Sequence, residues 1–359
     1  MSSASLHDHG RADRTRRAGF TLLELMISIS ILGIIVIGVF SSLTRQHRTS
    51  IVTESIVEVQ NNVRAIASLL EREIRMGGYM VPDAVAVCGL DSTTGGDELF
   101  VSENEPIVPD DARAGDMGAR LAAGSGAWSN PTINATTPTS SAAITVNLDA
   151  DSADLDDDGA LFYDNDGNGT PDADFRINGG FILADLANPH RGTLCGLVTA
   201  ASTTQMTLVP MAGALANLVG TDAEEEIVIV PAARYALDST TGTGRLERNG
   251  ELLAQGVDDF QVSYYFDVDD DGVVDAATAE EPGTKDGNAY SPANWDNEDL
   301  KEVRFSIVVR TRAADQQFAD GNFVVLENRT APAGGSDGFR RRVIVGSVRP
   351  RNVGNAGSI

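Results

Sequence analysis

Histidine and cysteine are scarce in this chain, with four and two among 359 residues, and that scarcity removes most metal-nitrogen and thiol chemistry. His7 and His9 lie near the start, while His47 and His190 stand alone, so no zinc-type ligand cluster is formed. Positive charge is short as well: 27 Lys and Arg face 52 Asp and Glu, a net charge of -25. Such a chain has no broad basic face, and nucleic acid is not an expected partner. Proline is missing from Phe20 to Met80, so nothing there breaks a helix. No phosphate-cradling glycine loop and no long internal repeat is present. What remains is ample apolar residue (42%), enough for one large domain or two lobes.

The informative stretch is the N-terminus. Arg11, Arg14, Arg16 and Arg17 precede a run that stays apolar or small through Leu43, with Glu24 its only charge. The run is long enough to cross a bilayer as a helix, and the arginines hold the leader on the cytoplasmic side. A secretory signal fits poorly, since no Ala-x-Ala-like site ends the run. A carboxylate inside a membrane span costs about 2.5–3.5 kcal/mol on lenient scales. A cut between Gly19 and Phe20 would supply a partner, the new ammonium of Phe20, on the same or a neighbouring chain. The other reading is that Glu24 snorkels to the interface. Loss of residues 1–19, with four Arg and two Asp, would move the net charge from -25 to -27.

Gly19-Phe20-Thr21-Leu22-Leu23-Glu24 resembles the type IV prepilin signal. The resemblance implies that a prepilin peptidase cuts after Gly19 and N-methylates Phe20, and that Glu24 serves subunit assembly. It also implies an inner-membrane assembly platform and other major and minor pilins as partners. Many pilins carry a proline in the apolar half of this helix; here only Gly33 and Gly38 offer local softness.

Past Leu43 the helical period persists. Val52, Ile56, Val59, Val63, Ile66, Leu70 and Ile74 recur at spacings of three and four, which predicts one apolar stripe. Gly77-Gly78 and then Pro82 end the helix. The remainder reads as β-rich, with candidate strands at 143–148, 180–186, 205–209, 226–230, 260–266, 303–310 and 343–348. Segments 234–237 and 244–248 flank a hairpin loop, and the weakly periodic stretch from Cys88 to Ser141 reads as long loops or a variable insert. The expected fold class is α+β: a long N-terminal spine helix, membrane-spanning in its first half, packed on an antiparallel sheet domain with long loops. The boundaries are a removed leader (1–19), a membrane or filament-core helix (20–43), the amphipathic half of the spine (44–76) and an outward β-rich domain (77–359).

Gly256-Val257-Asp258-Asp259-Phe260-Gln261-Val262, with Gly338-Phe339-Arg340-Arg341-Arg342-Val343 and Val348-Arg349-Pro350-Arg351-Asn352, resembles the PilW family of minor pilins. Arg340–Arg342 read either as solvated charges flanking a strand or as a contact with a neighbouring subunit. Cys88 and Cys195, in a domain expected to face an oxidising compartment, are expected to form a disulfide; two separate buried thiols are the alternative.

Two segments have the spacing of calcium loops. Asp164, Asp166, Asn168 and Asp172 fall at positions one, three, five and nine of the first, and Asp267, Asp269, Asp271 and Asp275 repeat the pattern. Calcium takes six to eight oxygens, most of which one tight loop supplies at this spacing. Neither loop has Glu at position twelve, so short structural calcium loops are expected, with solvated turns as the plain alternative.

An enzyme is not expected. Gly334-Gly335-Ser336-Asp337-Gly338 matches the G-x-S-x-G pattern, but a strand is expected after it and no histidine comes later in the chain. The favoured function is a minor pilin that primes or caps a type IV pilus. The alternatives are a type II secretion pseudopilin and a calcium-dependent tip adhesin.

Overall fold

The computed structural model describes residues 21–79, 81–92, 94–102, 119–120, 143–147, 162–163, 172–173, 175–186, 193–201, 205–213, 227–239, 244–267, 273–274, 284–286, 297, 299–315, 318, 323–324, 326, 329 and 337–353. Its contacts divide the chain into two compact units, 1–54 and 55–359.

From Leu22 on, the described residues of the first unit are helical. Helix α1 (Leu22–Met76) begins at the place the apolar run predicts. Leu22, Leu23, Met26, Ile34, Ile37 and Phe40 are all exposed, on a segment long and apolar enough by composition to cross a bilayer. In the second unit the same helix turns one-sided. Val63, Ile66, Leu70 and Ile74 are buried at spacings of three and four, so this half has a core to join. The helix stops where Gly78 takes a positive φ of 78°. A side chain there would also meet the Asn352 carbonyl oxygen at 2.9 Å, so the stop needs glycine.

A single 3-10 turn (Asp83–Val85) comes next, and then sixteen strands among the described residues. These are β1 (Val87–Leu90), β2 (Glu98–Ser102), β3 (Ala119–Arg120), β4 (Ile144–Asn147), β5 (Phe162–Tyr163) and β6 (Asp172–Ala173). Further along are β7 (Gly180–Asp185), β8 (Thr193–Ala201), β9 (Gln205–Gly213), β10 (Ile227–Asp238), β11 (Arg245–Arg248) and β12 (Glu251–Gln255). The last are β13 (Val257–Phe266), β14 (Thr284–Asp286), β15 (Leu300–Arg310) and β16 (Arg341–Val348).

One sheet has the strand order β1-β2-β10-β7-β8-β9-β4, with β3 and β11 also on β10 and β12 beyond β11. A second has the order β14-β13-β15-β16, and β5 pairs with β6. The large sheet curls into a half-barrel. Strands β1 and β8 are four places apart in its order, yet Cys88 and Cys195 join them with Cα atoms 6.2 Å apart. The expected α+β architecture is therefore present, an N-terminal helix with antiparallel sheets.

Two expectations about the β region are corrected. The stretch after Cys88 is not simply loop, because β1 and β2 pair across it, Cys88 opposite Phe100. Four of the five residues of β2 are buried, so it lacks the in-out alternation that marks a strand in sequence. The segments 226–230 and 234–237 are one strand, β10, running through Pro231. Proline is tolerated because along one side Pro231 falls between β3, which ends its pairing at Ile229, and β2, which begins at Ala232.

Candidate functional site

The start of α1 is organised by Thr21 and Glu24. The Thr21 backbone N–H donates to Glu24 Oε2 at 2.9 Å, and its hydroxyl donates to the same oxygen at 3.0 Å. In return the Glu24 N–H donates to Thr21 Oγ1 at 3.3 Å. This is a capping box: the residue before the helix and the third residue within it satisfy each other's orphan donors. Sequence reasoning singled out Glu24 and missed Thr21, although Thr-x-x-Glu before an apolar run is the signature. The carboxylate thus has a local partner one residue downstream of Phe20. Gly19 and Phe20 themselves lie outside the described residues.

The second unit holds α1 on its sheet through polar as well as apolar contacts. The buried Tyr235 hydroxyl of β10 donates to Glu73 Oε2, and Arg248 Nε of β11 stands 3.3 Å from Glu73 Oε1. Burial, with the Glu73 carboxylate next to it, pushes the Tyr235 hydroxyl well above the usual tyrosine range, so it stays a donor.

Asp97, at the end of the β1–β2 loop, ties the two sheets. Its N–H donates to the Phe260 carbonyl oxygen at 2.8 Å. Its carboxylate accepts the Val262 N–H at 2.8 Å and the Ser92 N–H at 2.9 Å. Burial pushes this carboxyl up to about 7; the two N–H donors oppose the shift, and nearby Asp91 and Asp259 add to it. The folded state therefore keeps a proton that an unfolded aspartate releases near 4. Its contribution to stability is present below that value and is lost as pH rises through about 7. The expected result is that Asp97→Asn removes part of the fall in melting temperature between pH 5 and pH 8. A slope difference of about 2 °C or more is expected from thermal melts of the two proteins.

The arginine-rich end is mostly an internal framework. Asp258 lies 3.2 Å from Arg310 Nε and 2.7 Å from Arg341 Nε. Arg341 also pairs with Asp337 at 2.5 Å, and its hydrogen bonds hold that carboxyl down at about 2. Arg340 pairs with Asp315 at 2.9 Å, while Arg342 is exposed. Neither Arg340 nor Arg341 is thus a bare solvated charge. Asp259, fully buried, pairs with Arg329, and Gln261 Nε2 donates to its Oδ1 at 3.0 Å.

Cys88 and Cys195 are bonded to each other, as the sequence suggested. Of the calcium-loop residues, Asp267 is buried at the end of β13, 3.6 Å from Lys301 Nζ. Asp172 lies in β6. Asp164, Asp166, Asn168, Asp269, Asp271 and Asp275 lie outside the described residues. Among the described residues no three acidic, histidine or cysteine side chains cluster closely enough to hold a metal. The G-x-S-x-G segment is also outside them up to Ser336, and the element directly after it is β16, a strand where a nucleophile elbow needs a helix.

An apolar helix long enough to cross a bilayer, with a capped start that carries a lone carboxylate, stands ahead of antiparallel sheets, the arrangement that the prepilin-like N-terminus led us to expect. Residues 14–40 match the family described as the prokaryotic N-terminal methylation motif. Residues 229–352, from β10 through β16, match the type IV pilus-assembly protein W family. The protein resembles the PilW minor pilins over that C-terminal stretch. Among solved structures, a type IV-like pilin from Thermus thermophilus is similar at 13% identity. That match covers 50% of this chain and 88% of that one with a TM-score of 0.21, too loose to fix any detail. No curated relative matches the chain.

Proposed function

We propose that this chain is a minor pilin of the priming or tip complex of a type IV pilus. The observation that carries the reading is the pairing of a methylation-motif helix with a domain whose residues 229–352 match the pilus-assembly protein W family. A prepilin peptidase cuts between Gly19 and Phe20 and methylates the new terminus. The domain then stands in the periplasm on a single inner-membrane helix, until the assembly platform moves the subunit into the filament and to the cell surface. The protein works by packing and position rather than by catalysis. A clean deletion and its complemented strain test this. Loss of surface pili with normal exoprotein secretion is expected, and normal pili with stalled exoproteins would transfer the protein to type II secretion.

The acidic loops add a structural calcium site to this proposal. Asp267, Asp269, Asp271 and Asp275, with Asp270 between them, crowd five carboxylates into nine residues, which repel one another unless a cation neutralises them. Lys301 stands 3.6 Å from Asp267, one positive charge beside a segment rich in aspartate. The detergent-solubilised chain is expected to melt several degrees higher in excess calcium than in chelator, and Asp269→Asn with Asp271→Asn should abolish the difference. Identical melts would reject the site.

A further inference from the structure

We propose that the contact between the β1–β2 loop and β13 is a proton-operated latch between the two sheets, closed in acid and loosened as the medium turns neutral. Hydrogen bonds from both sides build the contact. Asp97 donates its N–H to the Phe260 carbonyl oxygen at 2.8 Å and accepts the Val262 N–H on Oδ2 at 2.8 Å. Gln261 Nε2 donates to the Gly95 carbonyl oxygen at 3.1 Å. The Ser92 N–H donates to Asp97 Oδ1 at 2.9 Å and so folds the loop around the carboxyl. Strand β14 pairs with β13 only at Ser263, Tyr264 and Tyr265. At Phe260 and Val262, Asp97 therefore stands where a neighbouring strand would satisfy the backbone.

The joint holds more acid than it can neutralise. Asp97 on the loop and Asp259 on β13 are 1% and 0% exposed, and Asp91 on the loop acts on Asp97 as a third carboxylate. Arg329 pairs with Asp259, and among the described residues no cation acts on Asp97. Glu98, the next residue, is engaged by Arg234 of β10 at 2.6 Å. Tyr264 of β13 adds no charge, since burial and the two loop acids push its hydroxyl upward. The second carboxyl oxygen of Asp259 is buried without a partner, so this corner has no spare donor. A buried carboxyl with no counter-ion favours its neutral form, which still accepts both N–H groups.

Proton linkage sets the direction and the window. The closed joint holds the Asp97 proton up to about 7, whereas a hydrated aspartate releases it near 4. Opening is therefore hardest below about pH 4, becomes up to tenfold easier with each pH unit, and levels off above about pH 7. The loosening is local. At the neighbouring junction Gly256 and Val257 donate their N–H groups to the Gly244 carbonyl oxygen at 2.9 and 3.1 Å, bonds between backbone groups that do not titrate. The device does not depend on the pilus assignment.

Hydrogen exchange in the full-length, detergent-solubilised chain tests the latch, with rates corrected at each pH for intrinsic amide chemistry. Protection of the Asp97 and Val262 amides is expected to fall at least tenfold from pH 5 to pH 7, with little further change up to pH 8.5. The Gly256 and Val257 amides should change less than about threefold over the same range. Asp97→Asn should flatten the profile. Asp91→Asn removes one repelling charge, so the fall should shrink and level off at lower pH. Equal protection at pH 5 and pH 8.5 would overturn the proposal, as would an Asp97→Asn profile like that of the wild type. A fall shared equally by Gly256 and Val257 would mean general loosening rather than a latch. Should Asp97→Asn fail to fold, Asp91→Asn decides, and an unshifted profile rejects the latch.

Discussion

Replacing both cysteines by serine is expected to lower stability by about 3–5 kcal/mol. The bond joins residues separated by 107 positions, and a loop near that length restricts the unfolded chain by about 4.7 kcal/mol in the chain-entropy model. The folded state adds its own reason. Cys88 and Cys195 are fully buried on strands that are not neighbours in the sheet, so the bond holds the curl itself. Two new hydroxyls at these sites would be desolvated. Thermal melting with and without reductant measures the first effect, and limited proteolysis at 37 °C measures its consequence. The wild-type chain under reductant should approach the serine variant. A variant that melts within a degree of the wild type would mean that β1 and β8 keep the curl without the bond.

Removing the charge of Glu24 is expected to cut incorporation into filaments at least tenfold while leaving α1 intact. Two substitutions separate the roles of this carboxylate. Glu24→Gln keeps an acceptor at the third helical position, and glutamine serves a capping box there. It cannot pair electrostatically with the Phe20 ammonium that the proposed cleavage would create. Glu24→Ala loses both functions and leaves the Thr21 N–H without its 2.9 Å partner. If the ion pair governs assembly, both variants fail alike, because in a medium without water an uncompensated ammonium is costly. If the cap alone matters, Gln assembles normally and Ala does not. The measurement is the fraction of the chain in sheared filaments against the fraction left in membranes.

Helix α1 was readable because its signals are local. Its apolar run, the stripe from Val59 to Ile74 and the Gly77-Gly78 stop each lie within a few turns, and a window of that size contains the cause. Several strands were readable for the same reason, as short runs of β-branched and aromatic residues: β7, β13, β15 and β16 start or end within a few residues of their expected bounds. Thr21 and the Asn249-Gly250 turn into β12 were also local signals, overlooked rather than hidden. Asn249 and Gly250 have φ of 53° and 81°, the backbone that an Asn-Gly hairpin turn requires.

Other features depend on residues far apart in the chain. With two cysteines their pairing was a simple expectation, but nothing local indicated that the bond would span a curled sheet. Asp97 reads as one acid in an acidic chain until Val262, 165 residues later, brings its N–H to the carboxylate. Arg341 reads as a surface charge until Asp258 closes on it from 83 residues upstream. Strand β2 carries no alternation because both of its faces are covered. The sequence alone therefore determined the helix, most strand segments and the resemblance to type IV pilins. Tertiary structure decided the order of strands, the curl and the polar joints, because burial and pairing take their value from neighbours that only folding brings together.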